Sequence, residues 1–75
     1  MDKHQSMSGI ALAVRRAGTQ EKLGLRIGVS QQAISQWMGQ GWVPVKRARV
    51  IEREFSIPSA LLINPELVDL VGVTN

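Results

Sequence analysis

Apolar residues recur along most of this chain at intervals of three and four, the repeat of one face of a helix. Ser8 offers an N-cap, and Ile10, Leu12 or Ala13, Val14 and Ala17 follow at helical spacing until Gly18, a residue suited to a helix C-terminus. Thr19 can cap a second helix over Gln20 to Ile27, with Leu23 and Ile27 four apart on one face and Gly28 as its end. Ser30 caps a third from Gln31 to Met38, in which Ile34, Trp37 and Met38 share a face and the stop falls near Gly39. "GQGWVP" reads as a turn. Pro44 then fits the first position of a fourth helix, whose apolar face is Val45, Ala48, Ile51 and Phe55 and which Pro58 stops. "SALLI" predicts one further turn, and Asn64 followed by Pro65 predicts a last short helix in "NPELVDLV". There is no strand-like alternation that a helix does not explain better, no internal repeat and no low-complexity tract. The predicted fold is all-α, a compact five-helix domain with room for a short extra C-terminal helix.

Length turns this pattern into a domain plan. With 75 residues the chain supports one small core and not two. Residues 1–7 lack periodicity and are expected to be a flexible lead-in, leaving 8–75 as the folded domain with an apolar C-terminal segment at 57–75. A hydrophobic content of 44% with three aromatics implies aliphatic packing. Cysteine is absent, so neither disulfides nor a thiolate metal site can hold the fold. The apolar run in "SGIALAVRRAG" is too short and wrongly flanked for a secretion signal, and the stretch from Ile57 to Val73 is broken by Pro58, Asn64, Pro65, Glu66 and Asp69. A protein of the bacterial cytoplasm, with no membrane span, is the expectation.

The informative constellation is Leu23, Gly24, Ile27, Gly28, Val29, Ile34 and Trp37, spread over two short helices with one tight turn between. Two helices meeting at a steep angle need a residue without bulk at the crossing, which Gly24 supplies. They also need a corner that reaches positive φ, which Gly28 supplies. If Ile34 and Trp37 point inward, Gln31, Gln32, Ser35 and Gln36 occupy the opposite face. A glutamine amide can pair with adenine N6 and N7 in the major groove, and a hydroxyl can serve several bases or a phosphate. For any one of these glutamines taken singly, a solvated helix position explains it as well; the cluster favours base reading.

The segment "TQEKLGLRIGVSQQAISQWMGQGWVP" resembles the helix-turn-helix of the Cro and repressor class of phage regulators, including the YdaS-type Cro-like proteins, with residues 19–55 matching best. The resemblance implies that Gln20 touches a phosphate, that Gln31, Gln32 and Gln36 reach base edges, and that Ser30 or Ser35 supports them. Two departures stand out. Gly24 lies where the family usually carries Ala, and helix three has no Arg or Lys on its reading face, so A·T positions are expected to matter more than guanines. The implied function is a sequence-specific transcriptional regulator, a repressor binding a double-stranded operator as a homodimer. The alternative is an antitoxin-type or adaptor protein that binds another protein through its apolar tail, with DNA binding auxiliary.

Charge adds a second contact. Nine Lys and Arg against six Asp and Glu give a net charge of +3, compatible with a polyanionic partner. Lys46 and Arg47 stand with Arg49 near the start of helix four, where positive charge opposes the helix dipole unless an anion sits there, so they are read as a phosphate clamp. The rival reading is a solvated face. Lys22 and Arg26 could add long-range attraction, while Arg15 and Arg16 have no assigned role. Trp37 reads as core and Trp42 as loop packing rather than a stacking platform. Leu61, Leu62, Ile63, Leu67, Val68, Leu70 and Val71 could cap the core, make a two-fold interface, or do both, and because they exceed what so small a domain can bury, dimerisation is the expectation. His4 has no neighbours for a metal site, and Glu52 and Glu54 diverge on one helix, so no cofactor, metal or catalytic pair is expected.

Overall fold

The computed structural model describes residues 7–68. Four helices, α1 (Gly9–Ala17), α2 (Gln20–Ile27), α3 (Gln31–Gln40) and α4 (Val45–Phe55), are followed by a 3₁₀ turn (Ser59–Leu61). Residues 65–68 are helical where the description ends, and no strand occurs among the described residues. The fold is all-helical.

Local hydrogen bonds set the helix starts. The side-chain oxygens of Ser8, Thr19 and Ser30 accept from the backbone N–H groups of Ala11, Lys22 and Ala33 at 3.2, 3.0 and 3.1 Å. Each satisfies a donor that a helix start leaves unpaired, worth about 1 kcal/mol. At the last helical start Asn64 caps in the same way, its Oδ1 accepting from Glu66 N–H at 3.0 Å.

Three boundaries differ from the sequence expectation. Helix α3 runs through Gly39 to Gln40, and the left-handed stop is Gly41 at φ 90°, whose N–H donates to Trp37 C=O at 2.7 Å. Pro44 stands one position outside α4 as its cap residue rather than as its first helical residue. Helix α4 ends at Phe55, because Ser56 turns left-handed at φ 58° and swings Ile57 into the core, so Pro58 comes too late to be the stop. The predicted apolar face of α4 also changes. Ala48 and Ile51 are fully buried and Phe55 partly so, but Val45 is 43% exposed.

Ile10, Ala13, Leu23, Ile27, Ile34, Trp37, Val43, Ala48, Ile51, Ile57 and Leu62 form one buried cluster with contributions from every helix. The segment after α4 closes it. Val43 N–H donates to Leu62 C=O at 2.7 Å, and the Ser59 hydroxyl donates to the Glu52 carboxylate. Gly9 lies so close to this segment that a Cβ there would overlap the Leu61 carbonyl group. Leu62 is therefore a core residue, which settles for that position the choice between capping and a dimer interface. Leu61 stays 55% exposed and Leu67 37% exposed, with Ile63 and Val68 half-buried. Leu70 and Val71, with residues 1–6 of the expected lead-in, lie outside the described residues.

Candidate nucleic-acid interface

The pair α2–α3 is built around two glycines. Gly28 adopts the left-handed conformation at φ 78°, and the Gly24 carbonyl accepts from both Gly28 N–H at 2.8 Å and Val29 N–H at 2.9 Å, closing the corner. Gly24 itself is buried against that corner: a Cβ on it would stand 2.6 Å from the Val29 carbonyl oxygen. The missing side chain thus admits the turn that sets α3 across α2. Leu23, Ile27, Ile34 and Trp37 fill the angle, with Val29 half-buried beside them.

With Ile34 and Trp37 buried, helical geometry leaves Gln31, Gln32, Ser35 and Gln36 outside, and all four are exposed. Gln32 and Gln36 are four apart, as are Gln31 and Ser35, so the side chains form two short adjacent rows. Among the described residues none of these four side chains makes a hydrogen bond within the chain, so their amides and hydroxyl remain available to a partner. Gln20 is half-buried at the first position of α2. Ser30 precedes α3, its hydroxyl oxygen already accepting from Ala33 and its hydrogen still able to donate outward.

Lys46 and Arg47 are exposed in the first turn of α4, where no side chain caps the helix and no acidic residue offsets the dipole. Arg26 is different from what the sequence suggested. Its Nε donates to Glu54 at 3.2 Å and its guanidinium lies 5.2 Å from the Phe55 ring centre, so it joins α2 to α4 instead of projecting a free charge. Arg16, without a role in the sequence, donates to the Phe55 carbonyl at 2.6 Å and closes the C-terminal end of α4. Neither contact has a signal in the sequence, because the partners are 28 and 39 residues away.

A second surface lies at the far end of α3. A shallow, mostly apolar groove of about 410 Å³ runs between Met7, Gly41, Leu61, Ile63 and Val68. Met7, assigned to the lead-in, is thus part of a surface feature. Among the described residues no three acidic or histidine side chains come together, and no helix is long and apolar enough to cross a membrane.

Two short helices locked at a glycine corner, the second presenting an uncharged polar face, define a small helix-turn-helix protein. The family described as bacterial toxin YdaS matches residues 10–57, almost two thirds of the chain, and the match spans α1 through α4. The chain belongs to this family, a group of small phage-associated proteins of helix-turn-helix type with a regulatory, toxin–antitoxin connection. No curated protein and no solved structure matches it.

Proposed function

We propose that the protein is a sequence-specific double-stranded DNA-binding regulator, a Cro-like repressor acting in the bacterial cytoplasm by occluding an operator. The observation that carries this reading is the polar face of α3, where Gln31, Gln32, Ser35 and Gln36 are exposed while Ile34 and Trp37 anchor the helix from behind. Amides placed this way suit adenine edges in the major groove. Gln20 and Ser30 at helix starts, and Lys46 and Arg47 at the start of α4, would meet phosphates on either side. The proposed activity is binding rather than catalysis. A homodimer joined through the exposed part of Leu61, Ile63, Leu67 and Val68 would set two α3 helices about 34 Å apart on a pseudo-palindromic site.

Selection of bound duplexes from a random pool tests this directly. The expected result is an A·T-containing palindromic consensus with half-sites one helical turn apart. Recovery of unenriched sequence would refute specific reading.

A second reading is favoured by the family's description as a toxin together with the apolar groove at Met7, Leu61 and Ile63. In it the chain is a protein-interaction module of a toxin–antitoxin pair, with DNA binding auxiliary. It expects a salt-insensitive complex with another protein that is lost when Leu61 and Ile63 become polar.

A further inference from the structure

Val45 belongs to the apolar pattern of α4 but not to the core, being 43% exposed. The rest of the helix fixes where it lies. At about 100° per residue, Ala48, Ile51 and Phe55 mark the inward side, and Lys46, Arg49 and Arg53 fall opposite them within about 60° of one another. The two acidic residues of α4 lie on either side of this ridge and are engaged there, Glu54 with Arg26 of α2 at 3.2 Å and Glu52 with the Ser59 hydroxyl of the 3₁₀ turn. Arg49 and Arg53 are exposed, and among the described residues neither is in an ion pair.

On the Glu52 side of the ridge lies a mostly apolar groove of about 260 Å³, lined by Val45, Arg49, Glu52, Ser59 and Ile63. Ile63 also lines the groove at Met7 and Leu61, so the two meet at this residue. An apolar lining and a cationic edge are thus combined on one surface. It is not the face presented by α3. Helices α3 and α4 bury their inward sides in one core without packing on each other, so their outward sides diverge.

We propose that this surface docks an acidic amphipathic helix of another protein. The proposal deepens the protein-interaction reading given above by naming the chemistry of the partner. Apolar side chains three or four apart on that helix would enter the groove at Val45 and Ile63. Two carboxylates one turn apart would meet Arg49 and Arg53, which stand four residues apart, about 6 Å along the axis, and each of which can hold a carboxylate by two parallel hydrogen bonds. The combination selects among anions. A nucleic-acid backbone has the charge but no apolar side chain to fill a groove, and a lining recessed beside the helix does not suit insertion into a lipid surface.

Peptides selected from a random display library against the full chain supply the probe. The tightest is labelled and titrated at low and high salt against wild type, Val45→Glu and the double variant Arg49→Gln/Arg53→Gln, with the helical spectrum of each as the check on folding. The expected consensus sets apolar residues at helical spacing beside Asp or Glu. The groove alone gives a salt-insensitive complex, so the salt dependence reports the arginines. Wild type should bind about tenfold more weakly at high salt, and the double variant, about tenfold weaker already at low salt, should show little further loss. Val45→Glu, which suits a helix start, should weaken the peptide by about tenfold. The affinity of the double variant for duplex DNA should stay within about threefold of wild type. Peptides without acidic residues, or equal binding by wild type and the double variant, would overturn the assignment and leave the interaction reading standing. A double variant that loses duplex as strongly as peptide would overturn it in favour of nucleic acid. If no peptide of any composition is retained, the interaction reading falls and this surface with it.

Discussion

Alanine at Gly24 and alanine at Gly39 bring the same gain in helix propensity, about 1 kcal/mol, into two different surroundings. Gly39 is an exposed position in the last turn of α3 where a Cβ would meet nothing within 4 Å. Gly39→Ala should therefore stabilise the fold by about 1 kcal/mol in urea unfolding. At Gly24 a Cβ would press on a backbone oxygen that cannot yield unless the corner opens, and overpacking costs about 1–3 kcal/mol. Gly24→Ala should then lose stability by about 1 kcal/mol on balance, and a gain equal to that of Gly39→Ala would show that the corner is not tight. The close turn thus bears out the sequence reading of Gly24 as the residue without bulk that the crossing requires. Ser56 presents the opposite case, a residue with a side chain held left-handed at φ 58°. Ser56→Gly should stabilise by about 1 kcal/mol, seen as a raised thermal midpoint.

Among the elements, what was legible in the sequence was local. Ser8, Thr19 and Ser30 announced three helix starts because an N-cap bonds only two or three residues ahead, and the spacing of Leu23, Ile27, Ile34 and Trp37 announced the corner they fill. The same periodicity identified the outward face of α3, since burying two positions of a helix exposes the others. The end of α3 was not legible. Gly39 and Gly41 both suit a left-handed stop, and the choice of Gly41 is bound up with Val43 reaching the core and its bond to Leu62. The end of α4 depended likewise on Ile57, whose burial requires the chain to turn before Pro58. Contacts that join α1, α2 and α4, from Arg16 and Arg26 to Phe55 and Glu54, depend on which helix ends meet, and no short window of sequence holds that information.

On the scale of the whole molecule, the polar face of α3 and the apolar groove near Leu61 are two distinct surfaces, to which the proposed function gives DNA and a second chain respectively. If Lys46 and Arg47 grip phosphates, Lys46→Ala and Arg47→Ala should each weaken all duplexes alike and reduce the slope of log affinity against log salt by about 1. A slope unchanged in both variants would return this turn to a solvated surface. If the groove residues join two copies, Leu61→Glu should leave the helical spectrum intact and shift sedimentation from dimer to monomer at high micromolar concentration. A wild-type chain that sediments as a monomer there, without DNA, would contradict a preformed dimer.

The most direct measurement is the affinity of wild type and Gln32→Ala for the selected duplex and for duplexes altered at one base pair each. Gln32 is exposed on α3 and removed from the core, so its truncation leaves the fold intact. Loss of discrimination at one base pair, worth about 1–3 kcal/mol, with the remaining positions still read, is the expected result. A Gln32→Ala chain that distinguishes every altered duplex as well as wild type does would contradict base reading by that side chain, and the same outcome at Gln31 and Gln36 would contradict it for the helix.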